Sequence, residues 1–280
     1  MIEEEAPRAE VKRADRLQGQ KVVVVLEDAV LELAKGREGS LQLLEGLQHR
    51  RLLQHEERDT TDVRPDIAHQ CLMALQESPL NRVGEHVFSP IPCVCRPLPS
   101  LSTSSKAVVL LISTDLAVVD RQLIEVHPQL RVPPTYEEFR KLMVNLLHTR
   151  RIRAVEKNVT LLQIIKNDPN LFLPVSCRKI AKGHPVDLEA FVQQFKETKH
   201  PVVFLVGAVA HTNPTANSEL AEECVSIAPC GLSAGVSETI SEEKGKALSC
   251  FSFCIFVLSV HFGVCCSSIC AEFENLWDIH

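Results

Sequence analysis

The 280-residue sequence predicts an α/β protein, and three segments carry that prediction. KVVVV at 21–25 and PVVFLV at 201–206 are apolar runs without polar alternation, the pattern of strands covered on both faces. Between them, YEEFRKLMVNLLHTRRIR at 136–153 spaces Phe139, Leu142, Met143, Leu146 and Leu147 at helical intervals. A composition of 45% hydrophobic and 24% charged residues allows a sizeable core. The net charge of −6 gives no overall pull toward nucleic acid, so any such site must be a local patch.

Residues 1–20 are too charged for a signal peptide and read as a disordered, charged tail ahead of one domain at 21–280. After the first strand, Leu26, Val30, Leu33 and Ala34 take helical spacing, so a helix is expected there. RPDIAHQCLMALQESPLNR at 64–82 predicts a short helix from a charged corner, with Pro65 just inside its start and Pro79 near its stop. Residues 85–105 hold prolines and serines without periodicity and read as a loop or insertion. AVVLLIS and QLIEVHP read as strands, the helix of 136–153 ends in basic residues suited to a phosphate, and LLQIIKN suits a short helix or strand. The strand of 201–206 runs into Gly207, which would leave bare backbone at the carboxyl edge of the sheet, where α/β proteins bind ligands. VSIAPCGLSAG at 225–235 repeats that design, and SSICAEFENLWDIH forms a helical end.

The cysteine spacings, Cys93-x-Cys95, Cys250-xxx-Cys254 and Cys266-xxx-Cys270, lack the paired C-xx-C sets of a zinc site, so reduced thiols and no metal are expected. GLSAG does not fit the nucleophile elbow of hydrolases, because Ser233 follows Leu232 with Gly231 one place too close. His69 and Gln70, beside core residues in the first turns of a helix, read as a satisfied buried or half-buried pair. His211 reads as a loop hydrogen-bonding residue.

Seven blocks in order, VVVVLEDAVLELAK, RPDIAHQCLMALQESPLNR, LIEVHPQLRVPPTYEEFRKLMVNLLH, IIKN, LPVSCRKI, VVFLVGAVAH and VSIAPCGLSA, resemble the Nep/Emg ribosome-biogenesis proteins. The similarity covers most of 20–235 and resumes at 268–279. It implies the SPOUT, or α/β-knot, methyltransferase fold: a parallel-sheet core with a C-terminal trefoil knot, here with two anomalous insertions. The knot would be an exception to the rule against threading. The resemblance further implies a homodimer acting in the nucleus and nucleolus on small-subunit rRNA within the pre-ribosomal particle, with S-adenosyl-L-methionine as cofactor and N1 of a pseudouridine as target. Carried over, the cofactor site involves Gly207, Lys182, Thr212, Gly231, Leu232, Ser233 and Ala234, and the RNA site Arg64, Asp66 and Arg131. Thr212 stands where the family usually has Gly, Lys182 where it has a small or hydroxylated residue, Gly231 where it has Pro, and Pro134 replaces an arginine.

Methyl transfer from a sulfonium needs in-line placement and neither metal nor covalent intermediate. N1–H of pseudouridine is a weak acid that must lose its proton, so Asp66 is expected to accept it or to orient the base. An Asp at a helix start also favours the helix dipole, and both readings stand. Arg64 and Arg131 flank element ends, where a guanidinium can grip phosphate or stack on a flipped base. A non-catalytic assembly factor of the same fold is the second reading, favoured by the replaced cofactor positions.

A third reading, a tail anchor, rests on ALSCFSFCIFVLSVHFGVCC at 247–266, long enough to cross a bilayer as a helix. In place, 236–266 and 85–105 interrupt family blocks and hold six of the eleven cysteines. That composition reads first as translated non-coding sequence, then as a lineage-specific insertion, and last as an anchor.

Overall fold

The structure, a computed structural model, describes residues 20–36, 39–82, 107–115, 120–155, 159–165, 178–185, 187–208, 223–226 and 261–279. The expected tail at 1–19, the insertion at 85–105 and the segment 236–260 lie outside the described residues. An eight-stranded sheet organises the rest, in the order β10-β8-β9-β1-β4-β5-β7-β6. Its strands are β1 Val22–Ala29, β4 Ala107–Asp115, β5 Asp120–Val126, β6 Arg151–Arg153, β7 Thr160–Ile165, β8 Arg178–Pro185, β9 Val202–Gly207 and β10 Glu223–Ser226. From β10 to β4 all neighbours pair in parallel, and β4, β5, β7 and β6 continue the sheet antiparallel.

β1 lies between β4 and β9, and Val22 to Leu26 are all buried. Successive side chains point to opposite faces, so only a strand covered on both sides tolerates this run. Val22, Val24 and Leu26 join the main core. That core also takes Ile67, Cys71, Leu72 and Leu75 of helix α2 (Pro65–Glu77), Phe139, Met143 and Leu146 of α4 (Tyr136–Thr149), and Cys266, Ile269, Cys270 and Phe273 of α6 (His261–Leu276). Pro65 occupies the first helical position of α2, where its missing N–H costs nothing, and Pro79 starts the separate turn α3 (Pro79–Arg82). Helix α5 (Leu188–Gln193) adds Leu188 and Val192 to the same core.

The helix expected after the first strand does not form. β1 runs on to Ala29, and β2 (Leu33–Lys35) pairs antiparallel with β3 (Leu41–Leu43). Ala34 is buried while its neighbours Leu33 and Lys35 are exposed, which is a period of two. Val30, Ala34, Leu44, Leu53 and Val63 form a second, small core under this hairpin and helix α1 (Arg50–His55). Gly46, between β3 and α1, is needed because a Cβ there would lie 1.8 Å from the Thr60 carbonyl oxygen. The helix of 136–153 also ends early: Arg150 takes a left-handed φ of 61° and closes α4, and Arg151–Arg153 form edge strand β6. Residues 261–266 of the apolar stretch belong to α6 and bury Cys266 against α2. Among the described residues no helix is long and apolar enough to cross a membrane.

Candidate cofactor edge and RNA corner

The RNA-side candidates sit where α2 begins. Arg64 is the residue before the helix and Asp66 lies in its first turn. The guanidinium grips the carboxylate with two parallel hydrogen bonds, Nε to Oδ1 at 2.7 Å and Nη2 to Oδ2 at 2.6 Å. No side chain caps this helix start, so both Asp66 oxygens serve Arg64 and hold its planar fork over the corner. Arg64 remains 38% and Asp66 29% exposed, which leaves the pair open to a ligand.

One turn on, buried His69 ties the corner to the segment carrying Arg131. Its Nε2 lies 2.8 Å from the Pro133 carbonyl oxygen; a carbonyl only accepts, so Nε2 carries the proton and donates. The ring packs on Phe139, with centroids 4.6 Å apart, and on Tyr136 at 5.9 Å. The expectation of a satisfied histidine therefore holds for His69. Arg131, two residues before Pro133, is exposed, as is Pro134 at the position of the family arginine.

A polar network supports this corner from behind. Tyr136 donates to Glu45 at 3.1 Å, Arg140 Nε lies 2.7 Å from the same carboxylate, and Arg140 donates to Gln48 at 3.1 Å and Glu137 at 3.0 Å. Burial first, and then the negative charge of Glu45, hold the Tyr136 hydroxyl far above the usual phenol range, so it stays a donor. Spacing in the sequence carries no sign of this network, because Glu45 and Arg140 are 95 residues apart.

On the cofactor side, Gly207 is the last residue of β9 and stands opposite Glu27 of β1, whose carbonyl accepts from Ala208 N–H at 2.7 Å. Gly207 thus stands half-buried at the carboxyl end of a parallel strand. Glu27, only 6% exposed, is a buried acid at the same edge that sequence reading passed over; its signal was a carboxylate directly following a fully apolar run. Lys182 lies on β8, two residues beyond the last pairing of that strand with β9. Thr212, Gly231, Leu232, Ser233 and Ala234, together with His211, lie outside the described residues. Among the described residues no cluster of metal ligands occurs.

A parallel sheet with an antiparallel extension on one side and an arginine–aspartate corner at a helix start make up an α/β fold that the comparisons identify as that of the Nep1 methyltransferases, the SPOUT class. The pattern of the EMG1/NEP1 methyltransferase family matches residues 24–88 and 110–274. The mouse ribosomal RNA small subunit methyltransferase NEP1 is 35% identical over 219 residues, 78% of each chain, and the human one 33% identical over 230 residues, 82% of each. Among solved structures, Archaeoglobus fulgidus Nep1 bound to S-adenosylhomocysteine superposes with a TM-score of 0.57 over 92% of this chain and 99% of its own, at 19% identity, a likeness of fold. The chain belongs to the EMG1/NEP1 methyltransferase family.

Proposed function

We propose that this chain methylates N1 of a pseudouridine in small-subunit rRNA, using S-adenosylmethionine and working as a homodimer in the nucleolus during ribosome assembly. The observation that carries the reading is the Arg64–Asp66 pair, locked at a proline-started helix and joined through His69 to the Arg131 segment, within a chain whose relatives are named as small-subunit rRNA methyltransferases. The carboxyl edge suits the cofactor in composition: Gly207 ends β9 without a side chain, and the acid Glu27 stands opposite it on β1.

When bound, the cofactor supplies a methyl group on a sulfonium, whose departure as a neutral thioether needs no electrophilic help. N1 gives its proton to bulk water as the methyl arrives, and everything else is placement by the protein. Arg64 and Arg131 take the RNA backbone or the flipped base, and Asp66 holds Arg64 in its orientation. With both its oxygens given to one guanidinium, Asp66 acts as a positioning residue rather than as the proton acceptor.

The test is calorimetric titration of the purified chain with S-adenosylmethionine, beside transfer of labelled methyl to a hairpin carrying pseudouridine or uridine. Saturable binding and labelling of the pseudouridine hairpin alone are expected. Tight hairpin binding with no cofactor binding would instead establish the non-catalytic assembly factor, to which Thr212, Lys182 and Gly231 point.

A further inference from the structure

At the far end of α4 from Tyr136, three consecutive features face outward. Arg150 closes the helix in a left-handed conformation, and Arg151 and Arg153 alternate with half-buried Ile152 on β6, the last strand of the sheet. All three arginines are exposed, and neither the Arg150 nor the Arg153 guanidinium pairs with a carboxylate among the described residues. Beneath Arg150 lies a groove of about 290 Å³ between α4 and the β2–β3 hairpin, floored by Leu31, Leu33, Leu44, Leu52 and Leu147. Two acids line it: Glu32, just ahead of β2, is held bidentately by Arg58 at 2.8 Å, and Glu56, at the end of α1, sits 3.5 Å from the same guanidinium.

Charged residues on an edge strand commonly serve only to block pairing with another sheet. That explains Arg151 and Arg153 but not Arg150, which occupies a helix end where glycine or asparagine would avoid a steric cost. We propose that Arg150, Arg151 and Arg153 bind phosphates of an unpaired RNA strand flanking the methylation site, with the leucine-floored groove receiving one of its bases. The proposal rests on the rRNA reading above. The 14 residues of α4 separate this strip from the Arg131 segment by about 20 Å, a span that a few nucleotides of an unpaired strand bridge. Because the chain is acidic overall, such a local strip is where a polyanion is held.

The experiment uses the full chain carrying R150Q, R151Q and R153Q together, with two RNAs: a minimal pseudouridine hairpin and the same hairpin bearing a single-stranded extension of about eight nucleotides, a length that covers the spacing above. The variant should bind and methylate the minimal hairpin as the unchanged protein does. On the extended RNA it should lose about tenfold or more in affinity, and the slope of log affinity against log salt should fall by about two, the value for three single-strand phosphates. L52E, which places a carboxylate in the groove from a position already 40% exposed, should weaken extended-RNA binding selectively as well. Equal affinity of variant and unchanged protein for the extended RNA, or an equal loss on both RNAs, overturns the strip. Absent methylation of either hairpin by the unchanged protein, with the affinity difference intact, sinks the enzymatic reading and leaves the strip standing.

Discussion

At the scale of single residues, the corner at Arg64 and Asp66 shows how three adjacent residues fix a side-chain pair. Pro65 fixes the backbone between them, so the two side chains meet two residues apart without help from elsewhere. An ion pair this exposed contributes little to stability, within about 1 kcal/mol. Asp66→Asn should therefore leave the thermal midpoint and S-adenosylmethionine binding almost unchanged, while methyl transfer to the pseudouridine hairpin drops about tenfold or more, ~1.4 kcal/mol of lost placement. If Asp66 positions Arg64, Arg64→Lys should cut transfer similarly, because an ammonium cannot accept the two-point grip. Unchanged transfer in either variant would remove the positioning role. The acid was legible in RPD, but its partner was not: a start-of-helix aspartate also suits the dipole, and only the side-chain geometry decides between the two.

Among the elements, those with one dominant pattern were legible. β1, β9 and α2 follow directly from a β-branched run, an apolar run ended by glycine, and a proline-bounded helical period. The β2–β3 hairpin was hidden because Val30 and Ala34, four residues apart, fit helical spacing and alternation alike, while exposed Leu33 adds to the helical pattern only. β8 was hidden because RKIAKGHP is polar; pairing with β9 and β10 on both sides supplies what its composition lacks. The interface of α2 with α6 carries a further consequence, since it buries the thiols Cys71, Cys266 and Cys270 together. Burial, the largest influence, pushes the Cys270 thiol up to about 12, against a smaller lowering by Ser78 and with Cys266 and Glu274 adding to the rise. A thiol that keeps its proton in the folded chain but loses it near pH 8.5 when unfolded contributes stability that is intact below that pH and is lost as pH climbs toward 12. Cys270→Val should thus lose less stability than the unchanged protein between pH 7.5 and 10.5, read as the shift in urea midpoint. The same shift in both proteins would show that the thiol carries none of the alkaline loss.

For the whole molecule, the parallel order β10-β8-β9-β1-β4 places segments far apart in sequence at one carboxyl edge, and no periodicity encodes such an order. It was legible only through the seven blocks and their order, whereas the glycine marking the edge could be read directly. The stretch at 247–266 shows the limit of reading by composition: taken alone it is long and apolar enough for a bilayer, yet its last six residues begin α6. Cys266 is fully buried, and Gly263 approaches the backbone of Gln70, with a Cβ there 3.5 Å from its carbonyl oxygen. Two deletions separate an interruption from a structural part. Removing 236–260 leaves α6 whole; removing 236–266 takes away the turns that cover Cys71, leaving apolar surface of α2 in water. The longer deletion should melt lower than the shorter, by about 2–4 °C for each kcal/mol of lost packing in a chain of this size. The comparison is made by scanning both proteins at equal concentration in reducing buffer. Equal midpoints would mean that the start of α6 adds nothing to the core, and that 236–266 is dispensable throughout.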